Sequence, residues 1–181
     1  ENNSRVSVSY HYSWTNEFYL LNTKKPPTDN LWFRRAIASS LDRSTLSTYI
    51  YKKTGVNSKG LIPQNIPLFL EPDSLIDFDL DAAKRYLKKS GLEPSSINLD
   101  LSYVSTYEAY RLTAFMLLDN LKKIGVRLDL KPGLWSTNWD KAKKLDTAPN
   151  IISMAWWPTI SSPSDWFSSL YGTQETPLFN L

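Results

Sequence analysis

The chain has 181 residues, of which 41% are hydrophobic and 22% are charged, and its net charge is +3. This length and composition predict one domain over residues 1–181, and no apolar run approaches the roughly 20 residues that span a bilayer. The basic residues are scattered along the chain as pairs, so we expect no nucleic-acid binding. The absence of cysteine excludes a disulfide framework and thiolate chemistry.

Hydrophobic periodicity predicts alternating strands and helices along the chain. In the first half, it predicts strands over residues 6–14 and 18–21, helices over 31–41 and 44–51, an irregular connection over 52–77 and a helix over 82–90. In the second half, it predicts strands over 97–103, 126–130 and 151–157, each followed by a helix, over 107–124, 135–145 and from 163 onward. Strands that alternate with helices in this way are typical of an α/β layer fold.

Short polar residues and glycines mark the predicted helix ends. The expected N-caps are Asp29 or Asn30, Asp42, Asp79 or Asp81, Thr106 and Ser162, and the expected C-terminal glycines are Gly91 and Gly125. After Ser162, Pro163 has the fixed φ that suits the first helical position. Asp165 is expected to reach back toward the cap, as in a capping box.

Residues 150–172 combine three tryptophans, two prolines and several hydroxyl side chains in a predicted strand, loop and helix. In α/β proteins, the loop between the C-terminal end of a strand and the next helix often binds ligands, because free backbone N–H groups collect there. Neighbouring residues on a strand face opposite sides, so one of Trp156 and Trp157 should fill the core and the other should project from the sheet. Each tryptophan alone fits a core or a ligand-contact role, and the position at the strand end favours the second.

The residues that would support catalysis or metal binding are absent or have other roles. His11 is the only histidine, and it has no second ligand that would make a metal site. Residues 55–60 contain the two glycines of a phosphate-binding loop, but Leu61 and Ile62 stand where Lys and Ser or Thr are required. The acidic residues are better explained as helix caps or solvated charges than as a catalytic pair. We therefore predict a binding protein without enzymatic activity, cofactor or metal.

Several segments resemble one family of binding proteins. Residues 19–43 resemble the segment YLxxNTKKPPxDDVRVRQALAYAIDR of the family 5 extracellular solute-binding proteins, which are the dipeptide, oligopeptide, nickel and oligosaccharide receptors of ABC importers. Four further segments resemble family motifs in the same order: 60–63 the GPIPP loop, 81–91 the DxxKAxxLLxxAG helix, 121–126 the LxxIGI turn and 155–172 the GWxADYxDPxxFLxxLFG segment. Together these matches cover nearly the whole chain.

The resemblance implies a fold and a cellular role. Family members have two lobes that close on a solute, and this chain resembles one lobe of a type II periplasmic-binding-protein-like fold, with a mixed β-sheet flanked by helices. Residues 1–27 would lie near the hinge crossing between the lobes. The resemblance also implies a small-molecule solute, the membrane permease of an ABC importer as partner, an extracytoplasmic location with a membrane anchor in the full-length protein, and a monomer.

A ligand site is implied as well. In the family, the tryptophan of the EW segment and the GWxADY loop line the cavity, and these positions fall on Trp135, Trp156, Trp157 and Thr159, with Ser161 beside them. Peptide receptors place an Asp where this chain has Thr159, and losing that carboxylate removes a charge-assisted hydrogen bond to an amine worth roughly 1.5–3 kcal/mol. We therefore expect an oligosaccharide ahead of an oligopeptide, with Trp157 stacked on a sugar ring and Ser161 bound to its hydroxyls. The alternative is a non-catalytic protein-interaction domain that uses its aromatic surface.

Overall fold

The computed structural model describes residues 7–11 and 13–171. In this part of the chain, the sheet consists of β1 (Asn16–Leu21), β2 (Leu99–Val104), β3 (Leu128–Gly133) and β4 (Ile151–Trp156), in the spatial order β1-β4-β2-β3. Strand β2 runs parallel to β3 and β4, and β1 runs antiparallel to β4. The predicted mixed sheet is confirmed by this arrangement.

Helices cover both faces of the sheet. They are α1 (Leu31–Ser39), the one-turn α2 (Arg43–Thr45), α3 (Leu80–Ser90), α4 (Glu108–Lys123), α5 (Trp135–Ala142) and α6 (Pro163–Tyr171). Helices α1, α3 and α4 pack on one face, and α5 and α6 pack on the other. Among the described residues, none of these helices has the length and apolar character that crossing a membrane requires.

The pleat of β4 divides the core between the two faces. Ile151 packs against α1, α3 and α4 in the main core. Ile152 and Met154 face the opposite side, where they pack against α5. Trp166 of α6 fills the same side beside Phe18, with their ring centroids 6.1 Å apart. The largest fully buried side chains of the main core are Phe33, Leu101, Leu117, Leu121 and Ile151.

Several predicted helix ends are confirmed. The side chains of Asn30, Asp42 and Asp79 accept hydrogen bonds from backbone N–H groups in the first turns of α1, α2 and α3. Gly91 and Gly125 follow α3 and α4 with φ angles of 71° and 84°. This left-handed conformation is the one that glycine adopts most easily at the end of a helix.

The predicted strand over residues 6–14 is wrong for the described part of that segment, and Val6 and Tyr12 lie outside the described residues. The first strand instead begins at Asn16. Asn16 already lies opposite Trp156, the last residue of β4. Residues 7–11 and 13–15, the described ones before Asn16, therefore have no neighbouring strand with which to pair in this sheet.

Two helix predictions also need correction. Residues 44–51 form the end of α2 and then a π turn at Leu46–Ile50, because the serine and threonine side chains of this segment compete with the helix for backbone hydrogen bonds. Helix α4 begins after Tyr107 and not after Thr106. A turn in which the Tyr107 N–H donates to the Val104 carbonyl, at 3.4 Å, first redirects the chain as it leaves β2.

Asn150, which is buried just before β4, holds several strand ends together. Its backbone N–H donates to Asp100 Oδ1 at 2.8 Å, and its carbonyl accepts from the Asn22 N–H at 2.9 Å. Its side-chain Nδ2 donates to the Pro26 carbonyl at 2.9 Å and to the Thr28 hydroxyl at 3.2 Å. One residue thus connects β2, the end of β1 and the turn that leads to α1.

We predict that Asn150→Ala lowers the free energy of unfolding by about 2–4 kcal/mol, because the Pro26 carbonyl and the buried Thr28 hydroxyl lose their donor. Urea denaturation measures this change. Asn98→Ala, at an exposed asparagine just before β2, is the matched control and should change stability by no more than about 0.5 kcal/mol. Equal unfolding midpoints for the two variants would show that Asn150 does not hold the strand ends.

Candidate functional site

The C-terminal ends of β2, β3 and β4 lie at one edge of the sheet because these strands are parallel. Each strand is followed by a helix, so the N-terminal ends of α4, α5 and α6 lie at the same edge. Strand β1 begins there too, since Asn16 pairs with Trp156. Exposed side chains and unpaired backbone N–H groups collect at such an edge, which is where open α/β sheets bind ligands.

The two adjacent tryptophans at the end of β4 have different environments, as strand alternation predicts. Trp156 is half-buried and packs against the cluster that contains Trp166 and Ile66. Trp157 is 66% exposed. The indole of Trp157 is therefore available at the edge, whereas that of Trp156 belongs largely to the core.

Trp135 lies at the same edge, as the first residue of α5 after β3. It is 43% exposed and stacks on Trp139, with ring centroids 5.3 Å apart and an interplanar angle of 25°. Strands β3 and β4 flank β2. The two strand ends that precede Trp135 and Trp157 are therefore about two strand spacings, or roughly 10 Å, apart.

The loop between β4 and α6, which we call the β4–α6 loop, is fastened to the start of α6. Asp165 Oδ2 accepts a hydrogen bond from the Thr159 N–H at 2.9 Å. Ser162 caps the helix as predicted, since its hydroxyl oxygen accepts a hydrogen bond from the Ser164 N–H at 3.2 Å. The predicted reciprocal bond from Asp165 to the Ser162 N–H is wrong, because a tight turn already uses that N–H, which donates to the Ile160 carbonyl at 2.7 Å. The side chains of Thr159 and Ser161 are exposed beside Trp157.

An acid that sequence reasoning missed lies at this edge. Glu17, opposite Ala155 in the sheet, has an exposed side chain whose carboxylate accepts a hydrogen bond from the Tyr51 hydroxyl. Tyr19 shares its face of β1, and Tyr110 comes from the first turn of α4. We call Glu17, Tyr19, Tyr51 and Tyr110 the Glu17 cluster. Strand alternation could have placed Glu17 beside Tyr19, but the approach of the other two tyrosines depends on the tertiary fold.

Burial and charge shift the pKa values within the Glu17 cluster. Although much of the Glu17 side chain is exposed, partial burial raises the pKa of its carboxyl group, and the hydrogen bond from Tyr51 partly opposes this shift. Burial and then the negative charge of Glu17 raise the pKa values of Tyr19 and Tyr110. Burial and the hydrogen bond to Glu17 likewise raise the pKa of Tyr51. The three phenols therefore remain neutral at physiological pH.

Other surface features do not coincide with the predicted site. Among residues 7–11 and 13–171, no group of three or more His, Cys, Asp or Glu side chains could hold a metal ion. His11 is exposed, with Nε2 3.2 Å from the Ser9 hydroxyl oxygen. Two grooves lie on the surface of the described part of the chain. One of about 640 Å³ lies beside Lys52, and one of about 580 Å³ lies between α1 and α3. Neither groove includes a predicted site residue. The candidate site is therefore the exposed sheet edge.

Comparison with known sequences identifies relatives over most of the chain. Residues 1–177 match the family described as "Bacterial extracellular solute-binding proteins, family 5 Middle". The dipeptide-binding protein of Escherichia coli (strain K12) is 25% identical over 154 residues, which are 83% of this chain and 28% of that protein. The oligopeptide-binding protein OppA of Bacillus subtilis (strain 168) is 28% identical over 155 residues, or 81% of this chain and 28% of that protein.

Solved structures share the fold. A dipeptide-binding protein from Pseudoalteromonas sp. SM9913, crystallised with Met-Leu, matches 92% of this chain and 33% of its own with a TM-score of 0.78 and 22% identity. NikA from Staphylococcus aureus, in complex with Ni(L-His)2, matches 97% of this chain and 37% of its own with a TM-score of 0.81 and 18% identity. The chain thus spans about a third of the length of these relatives. From the family match over nearly its whole length, the chain belongs to the family 5 bacterial extracellular solute-binding proteins.

Proposed function

We propose that this chain is part of an extracytoplasmic receptor of an ABC importer and that its sheet edge forms one wall of a solute cleft. The observation that carries this proposal is the exposed Trp157 beside a fastened β4–α6 loop, at the edge where open α/β sheets bind ligands. The other wall would come from a second lobe outside this chain. The receptor would deliver its solute, as a monomer and without chemical change, to a membrane permease.

The solute that we propose is a peptide. The E. coli and B. subtilis relatives are named for binding dipeptides and oligopeptides, which favours a peptide. The sequence alone had favoured an oligosaccharide over a peptide. An oligosaccharide is the second candidate. It is favoured by the uncharged Thr159, by the exposed hydroxyl of Ser161, and by the exposed indole of Trp157, which offers a flat apolar surface to a sugar ring.

A protein-interaction domain would use the same exposed indoles in a different way. A macromolecular partner would bury Trp157 and Trp135 within a broad interface. A small solute would not displace such a partner. A receptor cleft would instead retain a small molecule through purification. Native mass spectrometry of the full-length protein therefore separates the two functions, because only a receptor cleft gives a discrete added mass of a peptide or sugar.

Trp157→Ala in the full-length receptor should weaken binding of the retained solute by about tenfold to a hundredfold, because the solute loses a large aromatic contact. Thermal stability should hardly change, since the indole is 66% exposed. Phe115→Ala is the matched control: this phenylalanine is 47% exposed, but it lies in the middle of α4. Calorimetry that finds equal losses of affinity in both variants, or none in Trp157→Ala, would contradict the proposed cleft wall.

Removing the carboxylate that fastens the β4–α6 loop gives a second test. In Asp165→Ala, exchange of the Thr159 amide hydrogen with deuterium should become about tenfold faster or more, because the amide loses a hydrogen bond to a charged group. Solute affinity should fall with it, since the loop is no longer held in place before binding. Asp165→Asn keeps an acceptor oxygen and should retain most of the protection. Unchanged exchange in Asp165→Ala would show that Asp165 does not hold the loop.

A further inference from the structure

The groove between α1 and α3, which we call the α1–α3 groove, has walls that are fastened to each other. The Asp79 N–H, directly before α3, donates to the carbonyl of Ser39 at the end of α1, at 3.0 Å. Arg43 donates to the Ile76 carbonyl at 2.8 Å and so holds the irregular segment before α3. The groove has a volume of about 580 Å³, which is within the range of ligand sites.

The acids that line the α1–α3 groove already have partners. Asp77 lies 3.5 Å from the Arg43 guanidinium. Asp79 accepts hydrogen bonds from two backbone N–H groups in the first turn of α3 and lies 3.5 Å from Arg85. Arg35 is the remaining charged residue of the lining, and none of the ion pairs of the described residues includes it.

Arg35 is held by an aromatic ring and not by an acid. Its guanidinium carbon lies 4.8 Å from the centre of the Trp32 ring, and Lys89 Nζ lies at the same distance from that ring. Trp32 in turn stacks on Tyr86, with ring centroids 5.9 Å apart and an interplanar angle of 21°. The two cations are therefore at most about 10 Å apart, and Lys89 also has no ion pair among the described residues.

Two unpaired cations beside one ring favour an anion between them. A guanidinium carries five N–H donors in a planar fork that fits a carboxylate with two parallel hydrogen bonds. The structure shows no hydrogen bond from the Arg35 guanidinium to another described residue, so this donor capacity is open. Leu75, 39% exposed on the groove wall, offers an apolar surface to residues next to such a carboxylate.

We propose that the α1–α3 groove binds a carboxylate side chain from an acidic segment of a partner protein. Arg35 is its primary contact, and Lys89 adds a second positive charge. A protein segment suits the site better than a bilayer surface, because a side chain can enter a groove in which Arg35 is half-buried and a flat layer of headgroups cannot. The inference does not depend on the proposed solute cleft, whose residues do not line this groove.

A purely structural role would leave the same contacts in place. In that role, Arg35 and Lys89 only brace α1 against α3 through Trp32, and the groove has no affinity for carboxylates. Removing Arg35 would then lower stability and change no binding. Carboxylate binding therefore separates the two roles.

The first measurement uses the full-length protein labelled with 5-fluorotryptophan, with the Trp32 resonance assigned by Trp32→Phe. The probe is the acetylated and amidated peptide Gly-Leu-Glu-Leu-Gly, and the reference peptide has Gln in place of Glu. The Trp32 resonance should shift saturably with the Glu peptide, and the Gln peptide should bind about tenfold more weakly or worse. Equal binding of both peptides, or no saturable shift, would overturn the site.

Two further probes test the kind of partner. Sodium succinate at equal ionic strength should bind more weakly than the Glu peptide, because it lacks the apolar neighbours. Vesicles of phosphatidylglycerol should leave the Trp32 resonance unchanged. Succinate that binds as tightly as the peptide, or vesicles that shift the resonance, would overturn a protein segment as the occupant.

Variants then identify the contacts. Arg35→Gln should weaken binding of the Glu peptide by about tenfold or more, and Lys89→Gln by a smaller factor. Arg111→Gln is the matched control and should bind the peptide as wild type does: the Arg111 guanidinium carbon also lies near a ring, 5.6 Å from the centre of Phe115, but it is paired with Glu108. Equal affinities of Arg35→Gln and Arg111→Gln would overturn the role of Arg35.

The solute cleft must be excluded as the place where the peptide binds. In Trp157→Ala, which alters the proposed cleft wall, the peptide-dependent shift of Trp32 should persist with unchanged affinity. Conversely, Arg35→Gln should retain the solute of the receptor as wild type does. Loss of the Trp32 shift in Trp157→Ala would show that the peptide acts through the cleft and would overturn a separate site in the α1–α3 groove.

Discussion

The hydrogen bonds of Asn150 determine which part of β1 reaches the edge of the sheet that carries the candidate site. This buried residue joins the start of β4 to Asn22, directly after β1, and to the turn that begins at Pro26. Because β1 has six residues and runs antiparallel to β4, fixing its C-terminal end places its first residues at the opposite edge. Glu17 consequently lies beside the β4–α6 loop, although the two are far apart in sequence.

The alternation of side chains at the end of β4 then gives its two adjacent tryptophans different environments, with Trp156 in the core and Trp157 exposed. Trp156 packs toward Trp166, so the backbone that carries Trp157 is anchored in the core. The bond between Asp165 and the Thr159 N–H restrains the residues that follow. An exposed side chain on a restrained backbone loses less conformational freedom when a ligand binds, which raises affinity without further contacts. In the proposed cleft wall, core packing and ligand binding would therefore be coupled through the adjacent residues Trp156 and Trp157.

The sequence pattern predicted those features that depend on residues close together in the chain. Alternation along β2 and β4 identified buried Leu99 and Leu101 and the different exposures of Trp156 and Trp157. The errors arose where the outcome depends on a distant neighbour. Residues 6–14 alternate in part, but the described ones have no partner strand in the sheet. The Glu17 cluster was missed for the same reason, since its members come from β1, α4 and the segment after the π turn.

A crystal structure of the full-length receptor with its retained solute tests the central claim, that this sheet edge is a wall of the solute cleft, most directly. We expect solute atoms in contact with Trp157 and the β4–α6 loop. The claim is contradicted by a solute seated elsewhere, for example in the groove between α1 and α3, with the sheet edge facing solvent.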